Sequence, residues 1–117
     1  MKHLGDSYEN FASQWLLDRG LRLLERNFRC KVGEIDLIAL DGDQLVFVEV
    51  RARSNPRFAS AVATVDRRKQ RKLRLAALHY LQKTRGTTRV HCRFDVIAIE
   101  PRQFPDEPAV RWIRSAF

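Results

Sequence analysis

The chain has 117 residues and is strongly basic, with 22 Lys and Arg against 14 Asp and Glu and a formal net charge of +8. This length suffices for one core of two or three layers, so we expect a single domain over residues 1–117. No stretch approaches the roughly 18 apolar residues of a membrane span, and the N-terminus lacks the apolar core of a signal peptide. We therefore expect a cytoplasmic protein without a membrane partner, and the positive charge favours a polyanionic partner.

The first predicted element is a helix over "DSYENFASQWLLDRG", with Asp6 as its cap and Gly20 as its stop. Its core stripe has helical spacing and comprises Tyr8, Phe11, Ala12, Trp15 and Leu16. Glu9 lies at the edge of this stripe. It can complete a capping box with Asp6, or it can face the sheet edge where other acids lie, and both interpretations stay open.

Three strands follow in the sequence. Residues 21–28 can form the first, and residues 34–40 and 44–52 form a hairpin around the turn signal at Asp41 to Asp43. A loop containing Pro56 ends the third strand near Arg53.

A long helix is predicted from about Thr64 to Arg85, where Gly86 ends it. Its apolar stripe consists of Leu73, Ala76, Ala77, Tyr80 and Leu81. A strand over residues 91–100 comes next, and "AVRWIRSAF" can add a last edge strand. The helix between two strands favours a parallel crossover, so the order indicates an α/β fold with a mixed central sheet flanked by helices.

Six basic residues occupy the first turns of the long helix in the run "RRKQRKLR", and no acid is interleaved after Asp66. Like charges at i,i+3 and i,i+4 repel, and a polyanion removes this repulsion. We favour nucleic acid over a membrane surface because the apolar side of the helix is typical of core. The predicted phosphate-binding residues are Arg67, Arg68, Lys69, Arg71, Lys72 and Arg74.

Two acids, Asp36 and Glu49, lie in the hairpin strands, and their meeting depends on the register. If paired residue numbers sum to 85, as a turn of Gly42 and Asp43 or a four-residue turn would give, the two stand opposite each other with Cβ atoms about 5 Å apart. A two-residue Asp41-Gly42 turn would make them diagonal neighbours, and a three-residue turn would put them on opposite faces. Glu34 shares their face one step outward, at the rim.

Two facing carboxylates repel, and a divalent cation removes the conflict. Oxygen atoms of Asp36 and Glu49, with the carbonyl of Val50, suit Mg²⁺ or Mn²⁺. Arg51 points to the same side and offers a fixed positive charge. In outline this is a site for phosphodiester hydrolysis, in which the metal and Arg51 stabilise charge on the phosphate.

The segments "GEIDLIA", "LVFVEVRAR", "GDSYENFA", "CRFDVIAI" and "RWIRSAF" together resemble the YraN family of small bacterial proteins along nearly the whole chain. That family is similar to the PD-(D/E)xK nucleases, which include restriction endonucleases and Holliday junction resolvases. The resemblance implies a restriction-endonuclease-like core of order α-β-β-β-α-β. It implies catalytic roles for Asp36 and Glu49, adds Glu9 as the acid of the first helix, and places Arg51 at the position of the motif's lysine.

Arginine at position 51 keeps electrostatic stabilisation but excludes proton abstraction, because a guanidinium group stays protonated in proteins. The first hypothesis is a metal-dependent endonuclease for branched or structured DNA, for which cutting two strands would favour a homodimer. The second is a nuclease-like nucleic-acid-binding module without catalysis, and the third is a scaffold protein with a polar sheet face. Asp95 has no chemical role in these hypotheses, and we expect it to pair with Arg93 or Arg51.

Overall fold

The structure is a computed structural model that describes residues 4–52, 63–102 and 106–117. In chain order the elements are α1 (Leu4–Asp18), β1 (Arg22–Cys30), β2 (Gly33–Asp41), β3 (Gln44–Ala52), α2 (Arg67–Arg85), β4 (Cys92–Glu100) and β5 (Ala109–Ile113). This α-β-β-β-α-β-β order confirms the predicted fold class and is compatible with a restriction-endonuclease-like core. The predicted loop around Pro56 lies outside the described residues.

The five strands form one mixed sheet in the order β1-β2-β3-β4-β5. The pairs β1–β2, β2–β3 and β4–β5 are antiparallel, while β3 and β4 run parallel with α2 between them in the chain. A parallel pair requires such a crossover, because its strands cannot be joined by a tight turn. The last strand lies at the edge, as predicted.

Helices α1 and α2 cover opposite faces of the sheet. Along β3, Leu45 and Phe47 belong to the core layer that contains α2, whereas Val46 and Val48 belong to the layer that contains α1. Side chains alternate across a strand, so this division shows one helix layer on each face. The buried stripe of α2 consists of the five residues predicted from its spacing, namely Leu73, Ala76, Ala77, Tyr80 and Leu81.

The ends of the helices follow from their capping chemistry. Asp66 has an extended backbone, and its side chain accepts a 2.9 Å hydrogen bond from the N–H of Lys69, so α2 begins at Arg67 rather than at Thr64. Gly86, with φ of 69°, ends the helix in the left-handed conformation. The predicted cap of α1 is wrong, because α1 begins at Leu4 and Asp6 lies inside it. In the described residues, no helix has the length and apolar character needed to cross a membrane.

Candidate carboxylate site

In the hairpin of β2 and β3, the numbers of the two residues in each pair sum to 85. Its pairs run from Asp41 with Gln44 at the turn to Leu37 with Val48. Of the turns that the sequence left open, the structure has the two-residue turn of Gly42 and Asp43, and Gly42 adopts a positive φ of 63° there.

The ladder ends one pair before the two acids. The Oδ2 atom of Asp36 accepts a 2.8 Å hydrogen bond from the backbone N–H of Val50, so its side chain satisfies a donor that a continued ladder would have paired. The expected direct pairing of Asp36 with Glu49 across the ladder is replaced by this contact. The strands thus separate at the point where their acids lie.

The regular alternation of side chains along β2 is also interrupted at this point. Ile35 and Ile38 both belong to the core layer of α2, while Leu37 belongs to the layer of α1. Strict alternation would place Ile35 and Leu37 on one face. The side chains therefore switch from one face of the sheet to the other at Asp36. At this position, residues from the layers of α1 and α2 can line the same cavity.

A surface cavity of about 280 Å³ lies at this opening, and we call it the carboxylate cavity. It is lined from α1, β2, β3 and α2 by Tyr8, Glu9, Glu34, Asp36, Glu49, Val50, Arg51, Ala52 and Lys69. The five residues predicted as catalytic or metal-binding all line this cavity. They include Glu9, which lies on α1, the helix on the sheet face opposite α2. Glu34 is at its rim, where it accepts a 3.0 Å hydrogen bond from the guanidinium of Arg29.

Glu49 is the electrostatic centre of the cavity. It is only 4% exposed. Burial is the largest cause that raises its pKa from 4.5 to about 8, and charge repulsion and hydrogen bonding from Asp36 raise the pKa further. Lys69 and Arg51 act in the opposite direction. In the absence of a ligand, the pKa of Glu49 therefore lies well above that of an exposed glutamate.

Two cations approach the same oxygen atom of Glu49 from different elements. The Nη2 atom of Arg51 lies 2.9 Å from Oε2, and the Nζ atom of Lys69 lies 3.5 Å from it. The Nε–H of Arg51 is buried and has no hydrogen-bond partner among the described residues. An unsatisfied buried donor costs about 1–3 kcal/mol, and an oxygen atom of a ligand in the cavity would satisfy it.

The six predicted phosphate-binding residues do not face one way. Lys69 turns into the carboxylate cavity, whereas Arg74 lies 5.6 Å from the ring of Phe94 and 5.5 Å from that of Phe117. Lys72 lines a second cavity, which we call the basic groove. Its lining is Arg29, Cys30, Lys31, Val32, Gly33, Glu34 and Lys72. The remaining three, Arg67, Arg68 and Arg71, are exposed on α2.

The prediction from charge alone groups Lys69 with the outer basic residues, whereas the structure places it in contact with Glu49. A signal was present: Lys69 precedes Leu73, Ala76 and Tyr80 by four, seven and eleven residues, the spacing of one helix face. The basic residue therefore extends the apolar stripe by one turn. The stripe predicts that its side chain points toward the sheet.

Asp95 is fully buried and its role is structural. Its carboxylate accepts hydrogen bonds from Nε of Arg93 at 3.0 and 3.1 Å, from Nε1 of Trp112 at 2.8 Å and from the N–H of Ser115 at 2.9 Å. Arg93 also donates to Asp41 at 2.9 Å. The expected pairing of Asp95 with Arg93 is confirmed, and the network joins β4 to β5, to the chain end and to the hairpin turn.

The family model of the uncharacterised protein family UPF0102 matches residues 8–99, which include every residue predicted for the acid pair and the basic cluster. A UPF0102 protein of Stutzerimonas stutzeri is 51% identical over 97% of this chain and 92% of its own length. A UPF0102 protein of Nitrosococcus oceani is 45% identical over 97% of this chain and 90% of its own length. These matches confirm the resemblance to YraN, and the chain belongs to the UPF0102 family.

Proposed function

We propose that this protein is a metal-dependent DNA endonuclease that hydrolyses phosphodiester bonds, with branched or otherwise structured DNA as substrate. The observation that carries the proposal is the buried acid pair of Asp36 and Glu49 beside Arg51 in one cavity. The resemblance of this hairpin to PD-(D/E)xK nucleases supports the same reaction, and the choice of branched DNA rests on that resemblance alone.

The residues present fit a hard divalent cation. Two carboxyl groups and the carbonyl of Val50 offer oxygen ligands, which Mg²⁺ and Mn²⁺ prefer. The raised pKa of Glu49 supports this fit, because a bound cation would add positive charge beside the pair and offset the repulsion from Asp36. No group of three or more His, Cys, Asp or Glu able to hold a metal lies in residues 4–52, 63–102 and 106–117. Mg²⁺ is commonly held by one or two carboxylates together with substrate phosphate oxygens and water, which is the arrangement proposed here.

Each side chain has a defined part in this proposal. The N–H of Val50 fixes the carboxylate of Asp36 in orientation. A metal bound there would favour the ionised form of Glu49, and Arg51 donates to an oxygen of the phosphate through its Nε–H, which has no partner among the described residues. Bound there, the metal would supply Lewis-acid stabilisation of the phosphate and would lower the pKa of a water molecule. Arg51 stabilises charge and cannot accept the proton of that water.

The basic groove supports nucleic acid as the ligand. It shares Glu34 with the carboxylate cavity, so the two cavities adjoin. Arg29, Lys31 and Lys72 line it, and Gly33 holds the β1–β2 turn close to α2, where an added Cβ would lie 3.3 Å from the carbonyl oxygen of Lys72. We propose that a phosphate backbone follows this groove away from the site of cleavage.

The experiment is cleavage of linear, flapped and four-way DNA by the purified protein with Mg²⁺, with Mn²⁺ and with EDTA. We expect metal-dependent cleavage that is lost in both Asp36→Asn and Glu49→Gln. These two variants remove charge while keeping the shape of the side chain. Cleavage that survives both substitutions would place the activity outside this site.

The alternative is the binding module without catalysis, and Arg51 at the position of the motif's lysine is the feature that favours it. Binding of DNA without cleavage under all metal conditions would support this alternative.

A homodimer stays part of the endonuclease proposal because two strands are to be cut. Sedimentation of the protein with and without four-way DNA tests this point.

A further inference from the structure

Lys69 differs from the other basic residues of α2 in its environment. Its side chain is 34% exposed and its Nζ atom lies 3.5 Å from Oε2 of Glu49, at the lining of the carboxylate cavity. Arg67, Arg68, Arg71 and Lys72 are exposed instead. The chain therefore directs one cation of this run inward.

The start of α2 fixes the backbone that carries this lysine. The N–H of Lys69 donates to Oδ1 of Asp66 at 2.9 Å, and the N–H of Gln70 donates to the carbonyl oxygen of Asp66 at 2.8 Å. The side chain of Gln70 donates to the carbonyl of Val65 at 2.9 Å. Three local hydrogen bonds thus hold the first turn, and the buried stripe beginning at Leu73 sets the rotation of the helix on the sheet.

We infer that Lys69 is a substrate-contacting residue of the carboxylate cavity, whose ammonium group binds the phosphate that is cleaved. This inference rests on the proposed phosphodiester chemistry. It assigns to Lys69 a role distinct from binding phosphates of the DNA backbone outside the carboxylate cavity. It also gives the site a lysine, supplied by α2 rather than by the hairpin.

The geometry favours Lys69 over Arg51 as the mobile cation. Arg51 is held by its contact with Glu49 and by the burial of its Nε atom. Lysine carries three rotatable donors on a flexible stem of four carbons, and its contact with Glu49 is the longer of the two. The ammonium of Lys69 can therefore turn from Glu49 to a phosphate oxygen without a change of backbone.

The test compares Lys69→Met with Lys69→Arg and with the matched control Lys83→Met, an exposed lysine in the last turn of the same helix. We expect Lys69→Met to lower the single-turnover cleavage rate at saturating DNA by about 10²-fold or more, the usual effect of removing one charge-stabilising donor. DNA affinity measured in EDTA should change far less than this rate, and Lys69→Arg should recover part of the rate. Lys83→Met should match the wild type in both measurements.

A loss of DNA affinity with an unchanged rate at saturation would overturn the inference, because it would make Lys69 an outer backbone contact. A purely structural role would lower the melting temperature of Lys69→Met and leave the rate per folded molecule unchanged, which would also overturn it. A metal-free measurement separates this inference from the proposed function. In spectra of the lysine NζH₃⁺ groups, added DNA should shift the signal of Lys69 and not that of Lys83, even if the wild type does not cleave, and an unmoved Lys69 signal would refute the contact.

Discussion

The Nη2 atom of Arg51 lies 2.9 Å from Oε2 of Glu49, so the arginine and the acid two residues before it form an ion pair along one strand face. The side chain of Glu49 is only 5% exposed, against 24% for that of Arg51. The guanidinium therefore bridges the buried acid and the cavity. We expect Arg51 to stabilise negative charge on the phosphate, and the cleavage rates of Arg51 variants measure this contribution.

Arg51→Met should lower metal-dependent cleavage by about 10²–10³-fold, because it removes a charged donor that the proposal directs at the phosphate. Arg51→Lys keeps the positive charge and should retain more activity than Arg51→Met. Rates measured at saturating DNA and metal separate this effect from substrate affinity. Wild-type rates in Arg51→Met would contradict the assigned role.

The stability of the metal-free protein should fall as the pH rises from about 4.5 to about 8. Burial and Asp36 raise the pKa of Glu49 to about 8, whereas the unfolded chain has the ordinary value near 4.5. Between these values the folded state holds a proton that the unfolded state has released, so the free energy of unfolding decreases with increasing pH. The stabilisation is fully present below pH 4.5 and is lost as the pH passes 8.

Thermal unfolding in EDTA between pH 5 and pH 9 measures this effect. Glu49→Gln is the control, because its amide keeps the shape of the side chain and has no proton to lose. We expect the melting temperature of the wild type to fall more steeply with pH than that of Glu49→Gln. Parallel curves for the two proteins would show that the pKa of Glu49 is not raised in the folded state.

The sequence limited the hairpin to a few turns, and two of them, the two-residue turn of Gly42 and Asp43 and the four-residue turn, give the register that the structure has. Gly42 supplied the positive φ, and the residues around it fixed which positions pair. The end of the ladder could not be predicted in the same way. It depends on the side chain of Asp36 taking the N–H of Val50, a tertiary contact without a periodic signal.

The basic run shows the opposite case, because its spacing carries a signal that its composition does not. Charge alone groups Lys69 with its neighbours, although its spacing to Leu73 and Ala76 puts it on the buried face. The stacking of Arg74 near Phe94 and Phe117 could not have been predicted. It requires knowing that the chain end folds back beside β4, which the hydrogen bond from Ala116 to Phe94 shows.

Asp95→Ala should destabilise the protein by about 3–5 kcal/mol, the usual cost of removing one partner of a buried ion pair. The substitution leaves the guanidinium of Arg93, whose side chain is 11% exposed, without its buried carboxylate, and it also frees the donors of Trp112 and Ser115. Urea unfolding measures the decrease in stability. The exposed Asp106 provides the control, since Asp106→Ala should change stability by less than about 0.5 kcal/mol. Equal effects of the two substitutions would exclude a structural role for the Asp95 network.

Lys72→Met and Lys31→Met should each weaken DNA binding and reduce the salt dependence of the affinity. Both residues line the basic groove, which adjoins the carboxylate cavity at Glu34. A lysine that binds a phosphate releases about one counterion, so removing it should decrease the magnitude of the slope of log K against log salt by about 1. Fluorescence anisotropy in EDTA at several salt concentrations measures the slope, with Lys83→Met as the control that removes the same charge from the other end of α2. If all three variants gave the same slope, net charge alone would account for binding, and the path of the phosphate backbone along this groove would be refuted.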